Sequence, residues 1–194
     1  MPGPETRDDG APPIPVVRRD GRRIRLREAT LADAVVVDAR SADPVMWGEF
    51  NDFGLPRPPS LEQNLADGKR MVAPDRGQLL IERIEDGQVI GDVGWHMVSY
   101  GPNVESRALN VGASLSPDFR GRGYGTEAQR LLAEVLFELF DIERIEASTD
   151  IDNVAEQRSL EKAGYTREGV LRRAQFRAGG RHDLVSYSIL RVDL

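Results

Sequence analysis

The passage from Ser116 to Leu139 constrains the fold most. It opens Ser116-Pro-Asp-Phe-Arg-Gly-Arg-Gly-Tyr-Gly-Thr126, with Gly121, Gly123 and Gly125 at every second position. An extended run over 107–116 precedes it. From Gly125 onward the apolar residues Ala128, Leu131, Leu132, Val135, Leu136 and Leu139 follow the spacing of one buried helix face. The chain must therefore place a strand, a glycine turn and a helix N-terminus in direct succession. Glycines let the backbone turn tightly and approach a ligand closely. Their amides, with the unpaired amides of the first helical turn, can converge on one anion, and the helix dipole favours negative charge there.

The flanking sequence supplies alternating strands and helices. Ile24–Glu28 alternates apolar and charged residues and reads as a strand. Thr30-Leu-Ala-Asp33 resembles a capping box for a helix to about Arg40, ended by Pro44. Ser60-Leu-Glu-Gln63 is a second such start, with an apolar stripe from Leu61 and Leu65. Leu79–Glu85 and Gln88–Tyr100 flank Asp86-Gly87, a strong hairpin signal. A strand over 144–149 and a helix over 153–163, closed by Gly164, come next. Two final strands, 169–177 and 183–191, are joined by Ala178-Gly179-Gly180-Arg181. The order predicts an α/β (α+β) fold around one mixed central sheet of about seven strands with flanking helices. Residues 1–20, with Pro2, Pro4, Pro12, Pro13 and Pro15, read as a disordered tail before a single domain over 21–194. Arg18, Arg19, Arg22 and Arg23 read as either a phosphate patch or a solvated strand entry.

Composition removes several function classes. The formal net charge is −6 and the pI near 5.1, against non-specific nucleic-acid binding and compatible with a cationic amine substrate. No cysteine is present, which excludes a disulfide, a Cys-ligated zinc and a cysteine nucleophile. His96 and His182 are the only histidines, so no metal site is expected. No apolar run approaches the roughly 20 residues that span a bilayer. The polar N-terminus shows no signal peptide, and a cytoplasmic location is the expectation.

Three kinds of phosphate loop compete for Arg120–Thr126. A Walker loop would end in Gly-Lys-Ser/Thr, which is missing here. A Rossmann fingerprint needs a different glycine spacing and a first parallel unit. The third pattern, Arg-x-x-Gly-x-Gly over Arg120–Gly125, resembles the coenzyme A motif of the GNAT N-acetyltransferases; a glycine-rich turn without a ligand is the bland alternative. From Ile24 to Leu194 the chain is similar to the RimJ/RimL-like branch of that family. The resemblance rests on Leu115–Ala128, on Asn153 with Leu160-Glu-Lys-Ala-Gly-Tyr165, and on Gly169-Val-Leu-Arg-Arg173 with His182-Asp183 and Tyr187-Ser188.

The resemblance implies a GNAT fold whose strands over 109–116 and 144–149 splay at the acyl-CoA site. It implies acetyl-CoA as cosubstrate, with the pantetheine arm between those strands. Arg120 belongs to the motif, and the amides of Arg122, Gly123, Tyr124, Gly125 and Thr126 should hold the pyrophosphate. Backbone groups near Ser114 and Leu115 should pair with pantetheine and polarise the thioester carbonyl. Asn153 should reach the pantetheine arm; it also reads as the N-cap of its helix, with Glu156 at the capping-box position. Trp47, Phe50 and Phe53 should line the acceptor pocket, or form a hydrophobic plug under the loop. A homodimer is an expectation by family analogy.

The sequence also departs from the family. Where many relatives have a Tyr seven residues after the Asn, this chain has Leu160; where RimL-like relatives often have Ser, it has Glu156; and Asn110 replaces a strand Glu. The customary acid and base are thus replaced. His96 and Tyr187 are the candidate catalytic residues, with Asp92, Glu82 and Ser159 behind them. Without a cysteine, direct attack in a ternary complex is the simplest route, since orientation alone supplies up to roughly 7–11 kcal/mol in model reactions. The expected function is N-acetyl transfer to a primary amine, a protein N-terminus or a small amine. The alternatives are a catalytically silent acyl-CoA-binding or sensory module, and a transferase using another donor such as succinyl-CoA.

Overall fold

The computed structural model describes residues 14–55 and 60–194, with Trp47 described through its backbone alone. Eight strands form one sheet in the order β1-β2-β3-β4-β5-β6-β8-β7. They are β1 (Arg18–Asp20), β2 (Ile24–Arg27), β3 (Arg76–Arg83), β4 (Val89–Ser99), β5 (Arg107–Leu115), β6 (Arg144–Asp150), β7 (Thr166–Arg177) and β8 (Gly180–Leu190). The helices are α1 (Ala34–Ala42), α2 (Pro44–Trp47), α3 (Leu61–Ala66), α4 (Tyr124–Leu139) and α5 (Val154–Ala163).

The additional strand lies in what the sequence suggested was tail. Residues 1–13 fall outside the described residues, but Arg19 pairs with Leu26 and Val17 is buried. The Val17 amide donates to Glu28 Oε1 at 2.9 Å. One apolar residue and one ladder suffice to hold a stretch whose proline content argues for disorder.

Local chemistry sets most element ends. Asp33 Oδ2 accepts from both the amide and the hydroxyl of Thr30, each at 2.8 Å. Pro44 begins α2 rather than ending a helix, because an N1 proline lacks only an amide that would be unpaired anyway. Ser60 Oγ accepts from the Gln63 amide at 3.1 Å, as its capping pattern requires. Gly87, at φ +72°, closes the β3–β4 hairpin. Ala178 and Gly179 carry positive φ between β7 and β8.

α4 buries the predicted stripe and more. Ala128, Leu132 and Leu136 are fully buried, as is Ala133 beside them, against a sheet face carrying Leu26, Val93 and Leu109. This helix is the crossover between β5 and β6, the one parallel pair in the sheet. All other neighbours are antiparallel. The crossover therefore sets a strand end, a glycine turn and a helix start beside the only parallel junction. Among the described residues, no helix is long and apolar enough to cross a membrane.

Candidate active site

β5 and β6 pair only at Leu109–Ile145 and Asn110–Glu146 and then part. Backbone alternation fixes what faces the gap. The Ser116 amide donates to the Ile90 carbonyl at 2.9 Å, so Ser114 and Gly112 direct their backbone groups to β4 while Ala113 and Leu115 direct theirs into the gap. Likewise the Ile151 amide donates to the Asp183 carbonyl at 3.1 Å, which leaves Ser148 and Asp150 facing the gap from β6. The Ser114 backbone is thus used by the ladder, Ala113 beside it is open to the gap, and Ser114 itself lines the cleft.

The glycine turn closes one end of the gap. Gly121 and Gly123 have φ of +69° and +82°, a left-handed conformation that favours glycine. Glu127 is the first residue whose amide bonds back along α4, to the Gly123 carbonyl at 3.2 Å. Among the described residues, the amides from Gly121 to Thr126 thus have no protein acceptor. Arg23 braces this turn: it donates from Nη1 to the Arg122 carbonyl at 2.9 Å and from Nε to Glu127 Oε2 at 3.1 Å. Its guanidinium also covers the Tyr124 ring at 4.8 Å. Arg120 braces the other side, donating to the Leu115 carbonyl at 2.8 Å and the Met46 carbonyl at 2.6 Å. Arg120 therefore lines the cleft while two of its nitrogens hold the loop in place, which motif spacing could not reveal.

Gly125 tests whether this turn is shaped for a ligand. A Cβ there would stand 3.6 Å from Leu115 Cδ1 and from Ser159 Oγ, ordinary contacts. The fold itself could carry a side chain at this position; the missing atoms keep the cleft open.

A cavity of about 630 Å³ runs from this turn along the gap to Phe50 and Phe53. Asn153 borders it and caps α5, its Oδ1 accepting from the Glu156 amide at 3.3 Å. The capping box is not closed, because the Glu156 carboxyl turns to Nε2 of the buried Gln129. Burial raises the Glu156 pKa against the opposing effect of that hydrogen bond. Ser159 Oγ bridges Thr126 Oγ1 at 3.0 Å and Gln129 Oε1 at 3.1 Å. Leu160 faces the core.

A second cavity, about 890 Å³, opens on the other face of the same strands and shares Ala113, Ser114 and Phe53 with the first. Its floor is built by register. Gly94 lies opposite Gly112, with Asp92 opposite Ser114 on one side and His96 opposite Asn110 on the other. A Cβ on Gly112 would meet nothing within 4 Å, so the glycine pair leaves a hollow between two polar rows. Asp92 accepts from Gln78 Nε2 at 3.1 Å and from Arg40 Nη2 at 3.4 Å. Burial raises its carboxyl pKa, opposed by the positive charge of Arg40 and the Gln78 hydrogen bond.

The predicted site residues divide clearly. His96 reaches the second cavity and is exposed there. Tyr187 is excluded from both: its ring is fully buried and its hydroxyl donates to Glu161 Oε1 at 3.2 Å. Phe50 and Phe53 line the cavities, and the Trp47 side chain lies outside the described residues. Two features carry more weight in the structure than in the sequence: Asp92, a secondary candidate base there, and Arg177, which the sequence did not single out. Asp92 faces the second cavity, and the nearby strand glycines Gly91 and Gly94 are the sequence signal for that opening. Buried Arg177 ties the Phe50 loop down, donating to Asp150 and to the Glu49 carbonyl, the latter at 2.6 Å, with its guanidinium 5.3 Å from the Phe50 ring.

The family model described as an acetyltransferase (GNAT) domain matches residues 23–166. The chain belongs to the GNAT acetyltransferase family. Among its GNAT relatives, the uncharacterized N-acetyltransferase YoaA of Bacillus subtilis is 29% identical over 182 residues, covering 92% of this chain and 98% of the relative. A GNAT-family acetyltransferase from Bacillus anthracis superposes with a TM-score of 0.69 at 20% identity, over 90% of this chain and 98% of the other. RimJ of Mycobacterium smegmatis, solved in complex with CoA-disulfide, also gives 0.69 at 20% identity, over 88% and 83% of the two chains. The sheet that parts between β5 and β6 is thus the GNAT fold, with eight strands in this member.

Proposed function

We propose that this GNAT acetyltransferase passes an acetyl group from acetyl-coenzyme A directly to a primary amine, a protein N-terminus or a small amine, in a ternary complex. The supporting observation is the gap between β5 and β6 that ends on the acceptor-free amides from Gly121 to Thr126. A pyrophosphate suits those amides, and a pantetheine arm suits the gap-facing backbone of Ala113 and Ser148 with the Leu115 amide, the Leu115 and Asp150 carbonyls being taken by Arg120 and by the Asn153 amide. The fold likeness to RimJ, which holds a coenzyme A derivative, favours the same ligand class. The two cavities meet beside Ala113 and Ser114, which would bring donor and acceptor together across the sheet. Orientation of the two reactants then carries much of the rate, and an amide aimed at the developing oxyanion adds to it.

The direct test is thiol release from acetyl-CoA, with the acetylated product identified by mass, across small primary amines and peptides with free N-termini. Succinyl-CoA in the same assay defines the donor. Transfer to at least one amine is expected. Saturable acetyl-CoA binding with no transfer to any amine would leave only an acyl-CoA-binding module.

A further inference from the structure

Asp92 is the only carboxylate among the described residues lining the second cavity. It pairs in register with Ser114, beside the segment of β5 that has left β6; His96 pairs with Asn110, where β5 and β6 are still joined. Directly opposite residues on one sheet face have Cβ atoms about 5 Å apart, so Asp92 adjoins the open segment and His96 stands four register positions further back. The glycine hollow lies between them. Arg40 satisfies Asp92 only loosely, at 3.4 Å, and Arg40 Nε is buried with no hydrogen-bond partner. The site is polar and incompletely paired, next to space for a small group.

We propose that Asp92 receives the ammonium of the acceptor and takes its proton, with Arg40 and Gln78 as positioning residues; this rests on the acetyl-transfer reading above. One N–H proton moves to the Asp92 carboxylate. The freed nitrogen lone pair forms the N–C bond at the thioester carbonyl, and the C–S bond breaks. The second nitrogen proton passes to the departing sulfur, directly or through water, and Asp92 releases its own to solvent. Among the described residues, His96, four residues along β4, and Arg40, from α1, are the other titratable or charged groups lining this cavity. Burial makes Asp92 a stronger base than an exposed aspartate, and Arg40 moderates this.

The experiment compares ethylamine with 2,2,2-trifluoroethylamine, which is already neutral near pH 7, using thiol release by the full chain. Asp92→Asn should bind coenzyme A as the unsubstituted protein does. It should lose about 10²–10⁴-fold in turnover of ethylamine and far less with trifluoroethylamine, which needs no proton removed before it attacks. Arg40→Gln should move the ascending limb of the pH–rate profile to higher pH, because the carboxylate form loses its cation. Equal losses with both amines, or none with either, would overturn the assignment. An unsubstituted chain that bound coenzyme A and acetylated neither amine would remove the transfer reading, and the Asp92 role with it.

Discussion

Tyr187 sits on β8 with its ring inside the core and its hydroxyl on Glu161. Burial and that neighbouring carboxylate both raise its pKa, which makes it a poorer acid than an exposed tyrosine. Tyr187→Phe should therefore leave kcat within about twofold and cost roughly 0.5–1.5 kcal/mol of stability for the lost hydrogen bond, measured by urea unfolding. A large fall in kcat with stability unchanged would return Tyr187 to the chemistry. The sequence could nominate Tyr187 and His96 by residue type, but it could not say which way a side chain points. Cross-strand register decides that. Asp92, one of several acids in an alternating strand, gains its place only from pairing with Ser114 and from the hollow that Gly94 and Gly112 leave beside it.

α4 connects element-scale packing to the site. Its apolar spacing was legible because a sustained repeat of helical period fits a one-sided buried helix and little else, and Leu132 and Leu136 are fully buried. The same helix presents its first-turn amides to the gap, so core packing orients the anion site. Leu136→Ala should cost about 2–5 kcal/mol, seen as a lower denaturation midpoint with an unchanged slope. A loss below about 0.5 kcal/mol would mean that α4 is not seated as described. The β5–β6 parting was available only through family resemblance, since it is a property of two strands separated by a helix. β1 was missed for a related reason: three residues paired to β2 carry too little periodicity to outweigh a proline-rich neighbourhood.

Across the whole molecule, a sheet that opens at its single parallel junction gives two cavities with a common wall. One reaches the glycine turn and the other reaches Asp92 and His96. The loop carrying Phe50 and Phe53 spans both and is held by buried Arg177. The sequence made the glycine-turn cavity readable because a glycine turn before an amphipathic helix is a local pattern. The second cavity, proposed above to take the acceptor, is assembled from α1, β3, β4, β5 and the Phe50 loop, and no local pattern records that assembly. The proposed coenzyme A site is the gap together with the acceptor-free amides. Isothermal titration of coenzyme A into the unsubstituted chain and into Gly125→Val tests it most directly. Valine meets only ordinary contacts at its first side-chain carbon, so the variant should fold while its side chain occupies the cleft. Saturable binding to the unsubstituted chain, weakened at least about 100-fold in the variant, which is roughly 2.7 kcal/mol, is the expected result. Equal affinity in both proteins, or no binding to the unsubstituted chain, would contradict the account.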